Sequence, residues 1–320
     1  MSLLPLIIVN PASAGNSTRA SWPAMASDLA AHFGAFNCAF TERAGDGRTL
    51  AERGAKEGRR LIVACGGDGT ISEVANGILS SGVDVELGIL PSGTGGDFRR
   101  TLDIPTRTAD AARVLRRGRT RRIDVGRATF INHEGAQTSR YFLGVASFGM
   151  STHIIERVKE SDSRWLPLAG SGWLGGKISF AAATMQTTLS LPVTNVLVQL
   201  DEGRERRLTV SNLCVANARY FGGGMKVAPE AKLDDGQFDV ITIRDMSALK
   251  ILTNAHKLYS GKHLEMDEVY QARAKVVTAR SARKNEDVII EIDGELPGHL
   301  PATFEILPKA LRVRCALIPQ

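Results

Sequence analysis

Three loops rich in glycine and hydroxyl residues carry the residue types that bind phosphate. They read "VNPASAGNST", "CGGDGTIS" and "LPSGTGGDF". Glycine lets a backbone approach a ligand closely, and the free N–H groups at the start of a helix favour an anion. The turn "GGDGT" (66–70) therefore predicts a phosphate-binding loop. A plain strand–turn–helix with a capping box remains an alternative, because Thr70 and Glu73 fit the pattern T-x-x-E.

Two aspartates within these loops point to a bound cation. Asp68 lies inside the glycine turn, and Asp97 ends the segment "PSGTGGD". A carboxylate repels a bare phosphate but holds a magnesium ion or its water shell. Thr94 and Ser92 offer hydroxyl hydrogen bonds beside them. For Asp97, an ordinary helix cap is the alternative.

The elements that must position these loops alternate between strand and helix patterns up to about residue 122. The strands are expected at 3–9, 35–40, 61–65 and 85–90, and the helices at 46–57, at 71–80 and from Ser21 with Pro23 in its first turn. This rhythm predicts an α/β domain, residues 1–122, with a parallel sheet and helices on both faces. In such sheets ligands bind at the carboxyl ends of the strands, so the three loops should share one edge.

From Ile123 onwards the pattern changes to strands with few helices between them. They are expected at 123–130, 140–149, 193–200, 207–218, 238–243, 269–279 and 287–293. This predicts an antiparallel, β-rich second domain, residues 123–320. The exception is 151–190, where two helical patterns flank a glycine-rich loop with Trp165 and Trp173. Core packing, a lid over a pocket and contact with a membrane interface are the alternatives for these tryptophans.

Charge and hydropathy limit the partners that are expected. The formal net charge is +6, and part of it comes from six arginines between 113 and 122. That cluster is either a solvated helix end and loop or a patch that faces an anionic membrane. No nucleic-acid motif accompanies it, so no nucleic-acid partner is expected. No apolar run reaches membrane-spanning length and the cysteines show no CxxC pair, which favours a cytoplasmic protein, at most peripheral at the inner membrane surface.

Several motifs, in this order, carry a resemblance to a known family. They are "VNPASAG", "GGDGTISEVANG", "LPSGTGGDFRR", "IDVGR", "NARYFGGGMKVAPEAKLDDGQFDV" and "EIDGE". Together they resemble the diacylglycerol-kinase-type lipid kinases, a family that includes bacterial diacylglycerol kinases, sphingosine kinase and ceramide kinase. The resemblance implies an NAD-kinase-like α/β domain and a β-sandwich-like domain. ATP and lipid would meet in the cleft between them, and the last strand or so would return to the first domain.

The resemblance also implies ATP and Mg²⁺ as cofactors and assigns residues to them. Asp68 and Asp97 would position the catalytic magnesium. The Asp235 side chain, with the carbonyl groups of Lys232 and Gln237, would form a structural magnesium site; a solvated Asp-Gly turn is the alternative there. The residues that match the nucleotide site are Asn10, Thr41, Gly66, Gly67, Asp68, Gly69, Thr70, Ile71, Ser72, Glu73 and Thr94.

The motif "EIDGE" has two interpretations. From the residues alone, "DG" between apolar alternations is typical of a type I′ hairpin turn. The resemblance makes Asp293 the general base and Glu295 the acid beside it. This chemistry is sound, because a lipid hydroxyl is a poor nucleophile and a nearby carboxylate can accept its proton during phosphoryl transfer.

Two positions depart from the family pattern. Gly96 stands where the family usually has Asn, which removes one amide from the adenine or ribose side of the site. The first loop, "NPASAG", is longer than the usual "NPxSG", so its contacts need not follow the family.

The sequence therefore predicts an ATP- and Mg²⁺-dependent kinase that acts on a lipid hydroxyl, such as that of diacylglycerol or of a sphingoid- or ceramide-type alcohol presented at a membrane surface. An NAD-kinase-like phosphotransferase is disfavoured by Glu73, Asn76 and Gly77 after the turn and by the lack of a TPTGST-like segment. A non-catalytic relative that only binds nucleotide or lipid is a further alternative, against which the retained acids Asp68, Asp97, Asp293 and Glu295 argue. Exposed strand edges in the second domain would permit a homodimer.

Overall fold

The first part of the chain folds into an α/β body, as the sequence predicts. A computed structural model describes residues 3–92, 96–153, 155, 193–283 and 286–316. The strands of this body are β1 (Leu6–Val9), β2 (Asn37–Phe40), β3 (Leu61–Gly66) and β4 (Glu86–Pro91). Its helices are α1 (Ser17–His32), α2 (Asp46–Lys56), α3 (Asp68–Ser81), α4 (Asp97–Thr101) and α5 (Thr108–Arg117).

The four strands pair in parallel in the order β2-β1-β3-β4. Every residue of β1 and β3 is buried. Such continuous apolar strands are typical of a parallel sheet that helices cover on both faces. The carboxyl ends of β1, β3 and β4 therefore lie side by side, and each leads into one of the three glycine- and hydroxyl-rich loops.

Helix α1 begins earlier than predicted. It starts at Ser17 rather than Ser21, so Pro23 lies inside the helix and not in its first turn. Thr18 explains the earlier start, because its side chain is fully buried and its hydroxyl donates to the carbonyl of Ser13. This contact fixes the start of the helix against the first loop.

The second part of the chain forms the predicted β-rich body. Its strands are β5 (Arg119–Asn132), β6 (Gln137–Phe142), β7 (Val145–Gly149), β8 (Thr194–Leu200), β9 (Arg206–Ala216), β10 (Phe238–Arg244), β11 (Val269–Ala274), β12 (Val276–Ser281), β13 (Ile289–Ile292) and β14 (Glu295–Cys315). One helix, α6 (Ala248–Ser260), and a 3₁₀ turn, Lys262–Glu265, lie between β10 and β11. Helix α6 was not predicted from the sequence.

Six antiparallel strands of this body close on themselves. The circuit runs β14-β12-β8-β9-β7-β13 and returns to β14. Phe142 lies in the interior, stacked on Phe238 at 5.5 Å between ring centroids and edge-on to Phe304 at 6.3 Å. The predicted sandwich-like domain thus has a barrel-like core.

Two long strands run through both bodies. β14 pairs with β5 along most of its length, and near its end Arg312 and Val313 lie parallel to Glu86 and Leu87 of β4. The sequence analysis expects a last strand that returns to the first domain but not a strand of this length, because Pro297, Pro301 and Pro308 interrupt its pattern. The structure accommodates two of these prolines where the β5–β14 register shifts, after His299 and after Leu307. The predicted domain boundary at 122/123 falls inside β5 and stays a prediction.

The arginine cluster lies partly on α5 and partly on β5. Arg113 pairs with Asp110, Arg121 with Asp234 at 2.9 Å and Arg122 with Asp84 at 2.7 Å. The protein's own carboxylates therefore offset half of the cluster. In the parts of the chain that the structure describes, no helix has the length and hydropathy to cross a membrane. Trp165 and Trp173 lie outside the described residues.

Candidate active site

The glycine turn joins β3 to α3 and leaves open surface where a phosphate would approach. A Cβ added at Gly66 would lie 2.4 Å from the hydroxyl oxygen of Thr70, so packing alone requires glycine there. A Cβ added at Gly67 or Gly69 would meet nothing within 4 Å. Helix α3 starts at Asp68, and its N-cap residue, Gly67, makes no side-chain capping hydrogen bond. The turn thus fits an anion, which would meet unshielded backbone N–H groups.

Polar side chains of the neighbouring loops close around this turn. The Asn10 amide donates to the Thr70 hydroxyl at 3.0 Å, and its oxygen accepts from the backbone N–H of Ala12. The hydroxyl groups of Thr18 and Ser92 lie 2.5 Å apart. These contacts bring the ends of β1, β3 and β4 together. Thr41 follows β2, where its N–H donates to Val9, and Thr94 lies outside the described residues.

The first loop has an unusual backbone. Ala14, Gly15 and Asn16 all have left-handed φ values, of 54°, 64° and 69°. Two of these three are not glycine, and such residues rarely adopt this conformation. This run lies where the loop departs in length from the family pattern.

Asp68 and Asp97 meet next to the glycine turn. The Asp68 carboxylate accepts hydrogen bonds from the N–H groups of Asp97 and Phe98, at 3.0 and 3.1 Å, and so caps α4. Asp97 accepts from Arg100 and from the N–H of Gly223, both at 2.7 Å. Burial, together with the Asp68 charge, raises the pKa of Asp97. Two adjacent carboxylates that already accept protein hydrogen bonds fit Mg²⁺ held partly through waters.

Gly96 has a conformational reason to stand in this loop. Its φ is 63°, in the left-handed region that glycine and asparagine tolerate best. A Cβ there would lie 2.7 Å from the Arg99 side chain. The change from the family's Asn therefore keeps the backbone conformation while it removes the amide.

Glu73 does not form a capping box with Thr70. Helix α3 begins at Asp68, so Thr70 lies within its first turn and cannot be the N-cap. The Glu73 carboxylate accepts instead from the N–H groups of Gly45 and Gly47, at 2.8 and 3.0 Å, at the start of α2. The capping-box interpretation was wrong, because sequence spacing gave no sign of this contact between helices.

Asp293 forms the tip of the β13–β14 hairpin and also points at the glycine-turn helix. Asp293 and Gly294 have φ values of 48° and 88°, as a type I′ turn requires at both positions. The carboxylate accepts from the Ser72 hydroxyl at 3.1 Å and from the N–H groups of Leu143 and Gly144 at 3.0 and 2.8 Å. The hairpin interpretation of "DG" is therefore confirmed, and the role of Asp293 as the base stays a prediction.

The surroundings of Asp293 shift the pKa of its carboxyl upward. Its side chain keeps a partly exposed edge, but burial raises the pKa of its carboxyl, against the lowering effect of the Leu143 and Gly144 N–H groups and of Arg140. A raised pKa suits a group that must hold a proton taken from an alcohol.

Glu295, the second predicted catalytic acid, pairs with a residue that sequence reasoning missed. Its carboxylate accepts from the Arg140 guanidinium at 2.6 Å. Arg140 lies on β6, 153 positions before Asp293 in the chain. No local motif marks it.

Asn76 is a further residue whose role the sequence did not reveal. Its amide nitrogen donates to the carbonyl groups of Ser72 and Tyr141, both at 2.9 Å, and its oxygen accepts from the N–H of Tyr141 at 3.0 Å. Asn76 thus joins α3 of the first body to β6 of the second. Its neighbour Gly77 lets α2 approach, since a Cβ there would lie 2.2 Å from the Arg48 carbonyl.

A buried carboxyl lies directly behind the hairpin. Glu291 is fully buried, and burial raises its pKa to about 8. One oxygen accepts from the N–H of Gly294 and the other from the Ser147 hydroxyl, each at 2.5 Å. A neutral carboxyl therefore supports the turn that carries Asp293.

The proposed structural magnesium site has a competing cation. Asp235 accepts from the N–H of Gln237 at 3.2 Å, and Arg273 lies 3.7 Å from its other oxygen and 3.6 Å from Asp239. The described residues contain no group of three or more acidic, histidine or cysteine side chains arranged to hold a metal. A magnesium ion would need carbonyl and water ligands beside one carboxylate, so the role of Lys232, Asp235 and Gln237 stays a prediction.

The architecture and the similarity to known proteins indicate the same class of protein. A parallel α/β body with a glycine turn is joined to a β-rich body that places an aspartate beside the helix after that turn. Residues 5–128 match the diacylglycerol kinase catalytic domain, and residues 147–315 match the YegS C-terminal NAD kinase beta sandwich-like domain. The chain belongs to the diacylglycerol kinase family of lipid kinases, which use ATP.

Curated relatives and solved structures match over most of the chain. Diacylglycerol kinases from Staphylococcus carnosus (strain TM300) and Staphylococcus saprophyticus are 28% and 29% identical, over 85% of this chain and 82% of each relative. A crystal structure of a diacylglycerol kinase from Bacillus anthracis str. Sterne is 26% identical, with a TM-score of 0.73 over 98% of this chain and 96% of that one. A second structure from that organism, 24% identical with a TM-score of 0.74 over 98% and 95%, has the same fold.

Proposed function

We propose that this chain transfers the γ-phosphoryl group of ATP to a hydroxyl group of a lipid in a Mg²⁺-dependent reaction, with diacylglycerol as the first candidate acceptor. One observation carries the proposal: the Ser72 hydroxyl, in the first turns of the glycine-turn helix, donates to the Asp293 carboxylate. This contact puts the predicted base and the predicted phosphate loop in one site, although the two residues are 221 positions apart.

Each group has a role that its surroundings support. The open backbone at Gly67 and Gly69 binds the phosphates of the nucleotide. Asp293 accepts the proton of the lipid hydroxyl as the oxygen bonds to phosphorus. Asp68 and Asp97 would hold Mg²⁺, which would supply positive charge to the phosphoryl group. Glu295 remains the acid beside the base.

The choice of acceptor rests on the relatives. Those from Staphylococcus are named diacylglycerol kinases. Diacylglycerol is a membrane lipid, so the enzyme would work at the inner membrane surface. Monoacylglycerol, phosphatidylglycerol, a sphingoid base and ceramide also offer a hydroxyl beside an apolar tail, and a homodimer stays compatible with the fold.

A panel of acceptors tests the proposal. Purified protein with ATP and Mg²⁺ is incubated with phosphatidylcholine vesicles that contain one candidate lipid each, and with soluble NAD in a separate reaction. Mass spectrometry then detects phosphorylated products. We expect phosphatidate from diacylglycerol in preference to the other products. Phosphorylation of NAD without any lipid product would refute the lipid kinase proposal, and a preferred product from another lipid would refute diacylglycerol alone.

A further inference from the structure

Arg140 is held in a fixed position relative to the glycine-turn helix. Its neighbour Tyr141 exchanges two backbone hydrogen bonds with the Asn76 amide of α3. Asn76 is itself tied to Ser72, whose hydroxyl reaches Asp293. A side chain on this segment of β6 therefore cannot shift without disturbing the contact between the two bodies.

Three carboxylates act on the Arg140 guanidinium. Burial opposes its charge, but the hydrogen bond to Glu295 and the charges of Glu295, Asp293 and Glu73 raise the pKa of Arg140. Arg140 thus offsets negative charge next to the glycine-turn helix. The charge of Arg140 in turn lowers the pKa of Asp293.

Most of the hydrogen-bonding capacity of Arg140 is unused. A guanidinium has five N–H donors. Within the described part of the chain, Arg140 makes one hydrogen bond, through Nη1 to Glu295, and its side chain is 20% exposed. Arg127 on the adjacent strand differs, because its Nε and Nη2 both bind Glu305. Arg140 therefore keeps Nε and Nη2 without a hydrogen-bond partner among the described residues, whereas Arg127 uses the same two atoms to bind Glu305.

We propose that Nε and Nη2 of Arg140 bind the γ-phosphoryl oxygens of the nucleotide, while Glu295 holds the guanidinium in place. Arginine is suited to this role because its planar fork can bind two phosphate oxygens at once. During transfer, the bond from phosphorus to the ADP oxygen breaks and the bond to the lipid oxygen forms. The lipid proton passes to Asp293, and Arg140 neither gains nor loses a proton. This inference rests on the function proposed above.

Nucleotide binding without a lipid acceptor tests the role directly. Titration calorimetry in the presence of Mg²⁺ gives the dissociation constants of ATP and ADP. We expect Arg140→Met to weaken ATP about 10- to 100-fold, the loss typical of a charged hydrogen-bonding group, and to leave ADP unchanged. The dissociation constant of ATP for Arg140→Lys should lie between those of the wild type and of Arg140→Met. An unchanged ratio of the ADP and ATP constants in Arg140→Met would overturn the proposal.

Two variants separate this role from its alternatives. Arg127→Met removes an Arg–Glu pair of the same body and should leave both nucleotide constants unchanged. Glu295→Gln tests whether Arg140 acts only by holding Glu295, and a loss of ATP affinity equal to that of Arg140→Met would refute direct binding.

If Arg140→Met does not melt cooperatively, the ATP and ADP constants of Arg140→Lys decide the question. A wild-type protein that binds no ATP would refute the proposed function, and with it this inference. A wild-type protein that phosphorylates lipid but shows no effect of the Arg140 variants would refute this inference alone.

Discussion

The glycine turn and the Asp293 hairpin form two sides of one site, but they are built differently. The turn is continuous in sequence: β3, the glycines and the start of α3 follow one another from Leu61 to Ser72. The hairpin holds its carboxylate with partners from elsewhere in the chain, namely Ser72, Leu143 and Gly144. Local geometry is enough to make the first, whereas the second exists only when both bodies have folded against each other.

Because of this difference, substitutions in the two regions should change different quantities, namely nucleotide affinity and turnover. Substitutions in the turn should act on nucleotide binding, because under the proposed function the backbone there would meet the phosphates. Substitutions that shift Asp293 itself should act on turnover, because they would move the proposed proton acceptor by small distances while the nucleotide still binds. The predictions below test this separation.

The largest effect is expected at Asp293. Asp293→Asn removes the proton acceptor, and kcat should fall by about 10²- to 10⁴-fold while the dissociation constant of ATP stays unchanged. Kinase assays and calorimetry measure the two quantities.

Asp201 supplies a matched control for that variant. Its φ is 49°, and its carboxylate also accepts two backbone N–H groups, those of Lys275 and Val276. Asp201→Asn should therefore reproduce any general cost of changing a turn aspartate and leave kcat intact. Near-normal turnover in Asp293→Asn would remove Asp293 as the base.

A smaller loss is expected from Gly144→Ala. An added Cβ would lie 2.8 Å from Oδ1 of Asp293 and would push the carboxylate out of position. A displacement of about 1 Å can cost up to roughly 100-fold in rate, so kcat should fall by about that factor at most. ATP affinity should not change. A variant with normal kcat would show that the position of Asp293 tolerates this shift and would weaken the contrast between the two regions.

Asn76→Leu tests the link between the regions. It leaves the N–H and carbonyl of Tyr141 without partners, and such groups cost about 1–3 kcal/mol when buried. Urea denaturation should show that loss in the free energy of unfolding, together with a lower kcat. Asn132→Ala removes an asparagine that accepts only from a surface turn and should cost less. Equal losses in the two variants would contradict a special role for Asn76.

The last prediction concerns Glu291 and pH and involves no change in activity. Its pKa is about 8 in the folded protein and 4.5 ordinarily. The folded state thus binds the proton more tightly, so the stabilisation is complete below pH 4.5 and is lost as the pH rises toward about 8. Glu291→Gln is always neutral and should show a flatter decline in unfolding free energy between pH 5 and pH 8. Parallel curves for the two proteins would contradict a protonated Glu291.

The sequence predicts more of the α/β body with the glycine turn than of the Asp293 hairpin and its surroundings. In the α/β body, the strands β3 and β4 lie within one residue of their expected positions, because continuous apolar runs between turn residues are a local signal. Helix α3 starts three residues early, since the residues of "DGT" are typical of a turn but here belong to the first helical turn. The candidate nucleotide residues Asn10, Thr70 and Ser72 do lie around the turn, and their binding role stays a prediction.

Around the hairpin, the sequence identifies Asp293 and Glu295 but not the residues that position them. Arg140, Asn76 and Glu291 lie in patterns that could equally be surface or core, and their roles arise from contacts between distant segments. Asn76 and Tyr141, for example, are 65 positions apart. The full length of strand β14 was not predicted for a different reason. Its prolines are typical of the end of a strand, but here two of them lie where the register of the β5–β14 pair shifts.

The β5–β14 pair has a mechanical consequence. Because these two strands continue from the barrel into the edge of the parallel sheet, the bodies are joined by a two-stranded ribbon rather than by a flexible linker. The ladder of this ribbon is interrupted between Leu307 and Leu311, so any change in the angle between the two bodies would meet its least regular pairing there.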